Sequence, residues 1–438
     1  MEQEPTKLSD NEKETSSRNE EIAQQISYII KEYLEKNSSE KQDISIPEKG
    51  RDKQEIIQRI KQIGLEGPQV EGKKYLSQLF SGIQDVALVA DMAASLFNSP
   101  MHTEKASGIH LHIEKEVIQH VASKIGFKDG IFSPGGSLSN LTAMIIARYV
   151  LTGSKNPGIT RPLRVYVCDQ AHYSIIKNAG ITGIGRDNVV FIKTHASQMD
   201  KSILRKKIVQ DKKKGYEPLM IISTAGTTML GRFEDLEGVD SIAKEFGLWH
   251  HVDGAFGGSV LFSKEHEHQL KGLENCDSFT WDAHKLFSVP LPCSLLLTKR
   301  DDVLSTLSED AEYLFSDDYN KDAGHKSIQC ARRNDALKLW ALFNMGDEYL
   351  EQLIDEKIEI AKYAAQEIKN NPDLTLLAHP ELPIVCFRSE SKDAYYRLTE
   401  QGIRCSEVTY EGVKWARISL VNSEITKEDV NMILALLN

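Results

Sequence analysis

From about residue 160 onward, short apolar runs alternate with helical stretches, and this alternation limits the possible fold more than any other feature. Six apolar runs lie at 164–169, 188–194, 219–226, 248–255, 278–283 and 294–299. Helical stretches such as SILRKKIVQDKKK and LEGVDSIAKEFG separate several of them. Such alternation predicts a mostly parallel sheet with helices on both faces. Ligands of these sheets bind at the carboxyl ends of the strands, so the residues that follow each run are the candidates for chemistry.

The regions on either side of this core differ in character. Residues 1–19 are polar and predict a disordered tail. Two stretches follow whose apolar residues fall on one side of a helix: Ile22, Ile26, Ile29, Ile30, Tyr33 and Leu34, then Ile56, Ile57, Ile60 and Ile63. We predict an N-terminal region of tail and amphipathic helices (1–70), a large domain (71–340) and a small C-terminal α/β domain (341–438).

Composition narrows the class of protein. The net charge of −11 argues against a nucleic-acid-binding protein, which normally carries a basic surface. The six cysteines form no CxxC pair, which fits reduced thiols better than disulfides or a zinc site, so we expect no metal. The acidic N-terminus does not resemble a signal peptide, and no apolar stretch is long enough for a membrane helix. We therefore expect a cytoplasmic protein.

Two ionisable residues follow predicted strands and are the first candidates for chemistry. Asp253 ends a strand in HHVDGAFGG, and Lys285 follows the next strand in WDAHKLFSVPLPCSLLL. Taken alone, each has a simple structural explanation, because Asp often caps turns and lysines are usually solvated. The alternative is a carboxylate beside a half-buried amine that can form a Schiff base.

A glycine turn and a histidine complete the set. Pro134, Gly135 and Gly136 form a turn that leads into a helix, and a helix N-terminus can bind phosphate. His172 follows a strand and can stack on an aromatic ligand. Each signal is weak alone. Together, a phosphate cradle, a stacking ring, a carboxylate and a reactive lysine are what pyridoxal 5'-phosphate needs.

The motifs also resemble those of a known family. In order, they are QLFSG, GIFSPGGSLSNLTAM, HYSIIKNAG, TAGTT, HVDGAFGG, WDAHKLFSVPLPCSLLL and QCARRNDALKLW. Over roughly residues 70–438 the chain resembles the group II pyridoxal-phosphate-dependent amino-acid decarboxylases, and among these the glutamate and cysteine-sulfinate decarboxylases. The resemblance implies the aspartate-aminotransferase-like fold type I, with a mostly parallel central sheet and a small C-terminal domain. It also implies a homodimer with active sites at the subunit interface.

The resemblance implies roles for the residues that match. Lys285 forms a Schiff base with the cofactor, Asp253 pairs with the pyridine nitrogen, and His172 stacks on the ring. Ala255 lies against the other ring face and Thr228 helps to fix the cofactor. The phosphate is surrounded by Gly135, Gly136, Ser137 and His284.

For the substrate, the resemblance implies that Gln78 lies in the pocket and that Arg417 binds the α-carboxylate. The family also uses a loop tyrosine to protonate Cα; here Tyr319 matches it, with Tyr313 as the second candidate. Two departures concern the pocket. Asp282 stands where the family usually has Asn, and residues 102–105 differ from the expected aromatic–Thr–Tyr–Glu run.

The predicted activity is decarboxylation of an acidic L-amino acid: glutamate, aspartate or cysteine sulfinate. Decarboxylation of an aromatic or basic amino acid is the first alternative. A related reaction such as oxidative deamination is less favoured, and so is a non-catalytic relative, since Lys285, Asp253 and His172 are all present.

Overall fold

The computed structural model describes residues 20, 23–28, 46, 48–68, 70–195, 198–309, 311, 315, 321–391 and 393–437. The chain divides into two compact units, residues 1–70 and residues 71–438. Of the predicted N-terminal stripe, only Ile26 lies in the described residues, within a helical stretch at 23–28.

The first unit also contains helix α1 (Lys53–Glu66). The helix begins at Asp52, whose carboxylate accepts hydrogen bonds from the backbone N–H groups of Gln54 and Glu55. The predicted apolar stripe is present, and its residues Ile56, Ile60 and Ile63 are about half exposed.

The second unit contains the three sheets of the described part of the chain: a large one, a small one and a two-stranded one. Its helices are α2 (Asp85–Phe97), α3 (Glu104–Ser107), α4 (Ile109–Lys124), α5 (Gly136–Thr152), α6 (Ser174–Ile181), α7 (Lys201–Lys213), α8 (Leu236–Phe246), α9 (Ala336–Phe343), α10 (Asp347–Asn370), α11 (Ala394–Glu400) and α12 (Lys427–Ala435). Its strands are β1 (Asp129–Ser133), β2 (Leu163–Cys168), β3 (Val189–Ile192), β4 (Thr194–His195), β5 (Gln198–Met199), β6 (Glu217–Thr224), β7 (Trp249–Asp253), β8 (Ser278–Asp282), β9 (Ser294–Thr298), β10 (Leu374–Leu376), β11 (Ile384–Ser389), β12 (Ser406–Tyr410) and β13 (Val413–Ser419).

The large sheet has seven strands in the order β1-β9-β8-β7-β6-β2-β3. Strands β8, β7, β6, β2 and β3 pair in parallel, whereas β9 pairs antiparallel with both β8 and β1. The six predicted apolar runs all form strands of this sheet. Strand β1 was not predicted. The reversed direction of β9 was not predicted either, because apolar patterning does not specify strand direction.

Helices cover both faces of this sheet. On one face, Met144 and Ile146 of α5 pack with Val165 and Val167 of β2. On the other, Tyr166 packs with Ile208 of α7 and Ile242 of α8, because successive strand residues point to opposite faces.

The small sheet is antiparallel, in the order β10-β11-β13-β12. Its core includes Val385 and Phe387 of β11, Ile418 of β13 and Ala361 of the long helix α10. The domain boundary near residue 340 stays a prediction. No helix in the described part of the chain is long and apolar enough to cross a membrane.

Candidate active site

The residues predicted to carry chemistry meet at one edge of the large sheet. Thr224 pairs with Asp253 and Asp253 with Thr280, so β6, β7 and β8 end side by side. The segments that follow these strands line a cavity of about 380 Å³. A second cavity of about 720 Å³ shares Phe80, His172, Tyr173, Thr228 and Lys285 with the first.

Lys285 lies on the turn that follows β8. Its side chain is 22% exposed, and Nζ lies 3.3 Å from Oδ2 of Asp282. Lys357 of α10 stabilises this turn. Its Nζ donates to the backbone oxygen of Leu286 (2.6 Å) and to Oγ of Ser288 (2.8 Å). The reactive amine therefore stands on a fixed backbone and faces both cavities.

Lys357 is 2% exposed, and among the described residues its amine contacts oxygens of Leu286 and Ser288 rather than a carboxylate. Burial lowers the pKa of its amine to about 7. Two of its donors are matched by the two acceptors of the turn. The lysine can therefore stay buried without a charged partner, because the neutral amine still donates both hydrogen bonds.

Asp253 ends β7 and lines the smaller cavity. Its Oδ2 accepts a 2.7 Å hydrogen bond from Nδ2 of Asn140, and its Oδ1 accepts from the backbone N–H of Ala255 at 3.2 Å. Each oxygen of Asp253 therefore accepts a hydrogen bond from a donor of the protein.

The glycine turn before α5 forms a cradle on the same cavity. Gly135 has φ +113°, a conformation that L side chains rarely adopt, and it is followed by Gly136 and Ser137 at the start of α5. The first amides of a helix have no acceptor within it. A Cβ on Gly136 would lie 2.8 Å from Oδ2 of Asp282, so the absent side chain leaves space beside that carboxylate.

Asp282 ends β8 at the base of the cradle and is 3% exposed. Its Oδ2 is 3.6 Å from Nε2 of His284 as well as 3.3 Å from Nζ of Lys285. Its Oδ1 is buried without a hydrogen-bond partner among the described residues. The Asp282 carboxylate therefore lies between the lysine and the cradle.

The two histidines of the site are held in the neutral form. Burial lowers the pKa of His172, which lines both cavities, and nearby Lys285 lowers it further. Burial also lowers the pKa of His284, whose Nδ1 lies 2.9 Å from the backbone oxygen of Cys293. A neutral imidazole can stack on a protonated pyridine ring without electrostatic repulsion.

Arg417 of β13 lines the larger cavity together with Gln78. Its Nε donates to the backbone oxygen of Thr228 (3.0 Å) and its Nη1 to that of Ser77 (2.9 Å). Its Nη2 is buried and has no hydrogen-bond partner among the described residues. A buried donor without a partner is costly, and an incoming acceptor would satisfy it.

Some predicted residues fall elsewhere. Tyr319 and Tyr313 lie outside the described residues, and either as proton donor stays a prediction. Residues 102–105 begin α3, where Thr103 caps the helix, and they line neither of the two cavities.

The sequence analysis missed Asn140 and Lys357. Asn140 lies one helical turn after Gly136 on the buried side of α5, and a polar residue within that apolar helix was the available signal. Lys357 carries no such signal, because lysine is common in a long surface helix and its burial depends on tertiary packing.

Comparison with known proteins identifies the family. Residues 35–390 match the model of the pyridoxal-dependent decarboxylase conserved domain. The chain belongs to this family. Human cysteine sulfinic acid decarboxylase is 34% identical over 380 residues, which cover 82% of this chain and 77% of the human protein. Bovine acidic amino acid decarboxylase GADL1 is 34% identical over 358 residues, which cover 79% of this chain and 69% of the bovine protein.

Solved structures agree with the fold. A crystal structure of mouse CSAD superposes with a TM-score of 0.87 at 28% identity, covering 96% of this chain and 98% of the mouse chain. Tryptophan decarboxylase from Catharanthus roseus has the same fold at 21% identity, with a TM-score of 0.86, and the match covers 96% of this chain and 97% of that one. The predicted fold type I, family and cofactor are confirmed.

This enzyme is therefore a pyridoxal-phosphate-dependent amino-acid decarboxylase. The cavity at the sheet edge fits the cofactor in its donor set. It offers an amine at Lys285, a carboxylate at Asp253 and the helix N-terminal cradle at Gly136 and Ser137. The Asp282 carboxylate opposes a phosphate in the cradle, because the charges are alike.

Replacing Asp282 with Asn is expected to tighten cofactor binding by about tenfold, because it removes a buried negative charge next to the cradle and supplies an amide donor. Titration of the cofactor-free enzyme with pyridoxal phosphate, followed by absorbance, measures the Kd. Asp282→Ala should gain less, since it removes the charge without adding a donor. Weaker binding by Asp282→Asn would instead mean that its ion pair with Lys285 controls affinity.

Proposed function

We propose that this enzyme decarboxylates an acidic L-amino acid, with glutamate, aspartate and cysteine sulfinate as the candidate substrates. Binding of an amino acid is supported by Arg417, which lines a cavity that also reaches Lys285 and whose buried Nη2 has no hydrogen-bond partner among the described residues. An α-carboxylate is common to all amino acids, so the choice of an acidic side chain is carried by the names of the human and bovine relatives, a cysteine sulfinic acid and an acidic amino acid decarboxylase.

The contacts at the sheet edge support the proposed cofactor roles. Lys285 binds the cofactor covalently, and Asp253 pairs with the ring nitrogen. His172 and Ala255 enclose the ring from its two faces, and Thr228 lies at its side. The phosphate is held by Gly135, Gly136, Ser137 and His284.

The proposed substrate contacts lie in the larger cavity. Arg417 is buried and anchored at two of its three nitrogens, so its free nitrogen is fixed in direction before the substrate arrives. Burial lowers its pKa, but a guanidinium remains charged at any physiological pH. It therefore supplies a preorganised positive charge for the α-carboxylate, with Gln78 at the same cavity.

The chain's own residues then favour loss of the carboxylate. When bound, the cofactor accepts the electrons of the broken Cα–carboxylate bond. Asp253 favours this step by stabilising a proton on the ring nitrogen, and Lys285 Nζ can take a proton from the substrate amine. The apolar side chains of Phe80 and Val408 line the larger cavity and limit the water around the ion pair between Arg417 and the α-carboxylate. Less water strengthens this ion pair.

A panel of amino acids assayed for released CO₂ tests the proposed activity. We expect glutamate, aspartate or cysteine sulfinate to be turned over at least about 100-fold faster, by kcat/KM, than aromatic or basic amino acids, because unpaired charges are poorly tolerated in a buried site. Lys285→Ala should lose the visible absorption band of the bound cofactor together with the activity. Preference for an aromatic or basic substrate would contradict the proposal.

Replacing Arg417 with Met should raise KM for the preferred substrate by at least about 30-fold, because a charge-assisted hydrogen bond contributes about 2 kcal/mol or more. Arg417→Lys should recover part of this loss, since it restores the charge but not the two backbone contacts. The absorption band of the bound cofactor serves as the control for folding and should be unchanged in both variants. An unaltered KM would show that the α-carboxylate binds elsewhere.

We also propose that the enzyme is a cytoplasmic homodimer. All six cysteines are free, and four are buried, which supports a reducing compartment. Exposed apolar residues lie on α2 and beside the cavities: Val89 (67% exposed), Phe97 (54%), Tyr173 (69%) and Leu291 (47%). Such a surface next to a site supports a subunit boundary there. Recovery of the protein from a secreted fraction would contradict the proposed location.

Val89→Glu is expected to shift the enzyme from dimer to monomer in sedimentation velocity and to lower its activity, because burying an unpaired carboxylate at the interface is unfavourable. Tyr396→Glu is the matched control: Tyr396 is 64% exposed on α11 of the small domain, and its replacement should leave the dimer intact. A wild-type monomer with full activity would refute the dimer.

A further inference from the structure

Asp253 lies at the end of a series of hydrogen bonds that runs through the core beneath the site. Trp249 Nε1 is 2.8 Å from Ser278 Oγ, which is 2.8 Å from His251 Nδ1. His251 Nε2 is 2.9 Å from Asn140 Oδ1, and Asn140 Nδ2 is 2.7 Å from Asp253 Oδ2. We call these four residues, Trp249, Ser278, His251 and Asn140, the relay. All four are at most 3% exposed, so water does not compete for these bonds.

The strand geometry explains why these residues meet. Trp249, His251 and Asp253 alternate along β7, so their side chains point to the same face of the sheet. Ser278 is the residue of β8 that pairs with His251. Asn140 reaches the same face from α5, one turn after the cradle.

The hydrogen bonds can be assigned directions starting from the tryptophan end. An indole N–H only donates, so Ser278 Oγ accepts from Trp249 and has its own proton to give to His251 Nδ1. His251 is neutral, because burial lowers its pKa to about 3, so one ring nitrogen accepts and the other donates. Nδ1 is the acceptor, and Nε2 therefore donates to Asn140 Oδ1. The longer contact of Thr280 Oγ1 with Nε2, at 3.4 Å, is compatible with this tautomer.

The orientation of Asn140 follows from its neighbours. Since Oδ1 accepts from His251, the amide NH₂ must face Asp253 and donate to it. In the reverse direction, Asn140 would turn its oxygen toward the carboxylate, and two acceptors 2.7 Å apart would repel each other unless Asp253 took up a proton. Ser278 Oγ contacts no further acceptor in the described part of the chain, so His251 Nδ1 is the acceptor available to its proton.

We propose that the relay consists of positioning residues that hold Asp253 as a carboxylate directed at the cofactor. Asn140 makes the contact with Asp253, and Trp249 determines the direction in which the hydrogen bonds of the relay run. This inference rests on the proposed pairing of Asp253 with the ring nitrogen. It assigns functional roles to four residues outside the substrate cavity.

The test compares Asn140→Asp with Asn140→Ala by titrating the cofactor-free enzymes with pyridoxal phosphate at several pH values. Asn140→Ala should weaken binding by about tenfold or more at every pH, because one hydrogen bond to a charged group is lost. Asn140→Asp should bind more weakly still at about pH 8, where two adjacent carboxylates repel. It should recover toward wild type at about pH 6, because a carboxyl of such a pair that keeps its proton donates again. Structural damage alone would not be reversed by acid.

A matched pair of serine variants controls for the loss of a buried hydrogen bond. Ser278→Ala interrupts the relay, whereas Ser259→Ala removes a similar bond, from Trp281 Nε1 to Ser259 Oγ at 2.9 Å, elsewhere in the core. Both should lower the thermal unfolding temperature of the cofactor-free enzyme. Only Ser278→Ala should weaken cofactor binding and shift the pH dependence of the cofactor absorption band.

Two results would overturn the relay: wild-type cofactor affinity in both Asn140 variants, or equal effects of the two serine variants. Asp253→Asn separates this failure from failure of the proposed function. If Asp253→Asn loses affinity while the Asn140 variants do not, the relay alone is wrong. If Asp253→Asn binds the cofactor as wild type does, the role of Asp253 is wrong and the relay falls with it.

Discussion

Parallel pairing of β6, β7 and β8 is the constraint on which the site depends. Because these strands end at the same edge, side chains far apart in sequence, such as Asp253 and Lys285, face a common cavity without any special local geometry. The glycine turn before α5 reaches that edge through β1, whose last residue, Ser133, lies opposite Ser294 of β9.

Charge is distributed at this edge in a consistent way. Two carboxylates, Asp253 and Asp282, line the smaller cavity, Arg417 lines the larger one, and Lys285 lines both. The histidines between them are neutral, since burial lowers the pKa of both His172 and His284. Each carboxylate has a different environment. Asp253 accepts two hydrogen bonds, whereas Asp282 has one oxygen without a partner in the described residues.

Much of this could be predicted from the sequence, and the limits have physical causes. The strands were predictable because buried parallel strands are apolar throughout, and the positions of Asp253 and Lys285 followed from the strand ends. The hydrogen bond between Asn140 and His251 joins residues far apart in sequence, so no local pattern reports it. The environment of Asp282 was hidden for the same reason, since its neighbour in space is Gly136. The turn beneath Lys285 depends on Lys357, whose burial only packing decides.

Lys285 lies on the connection that leads into β9, the strand that runs antiparallel to its neighbours in the large sheet. Since β9 pairs antiparallel with β8, the connection at 283–293 leaves and re-enters the sheet at the same edge and contains no crossover helix. Most residues of this connection are buried, but Leu291 is 47% exposed and lines the smaller cavity. A change at Leu291 can therefore alter the shape of the cavity mouth while the strand register and the buried turn around Lys285 stay as they are.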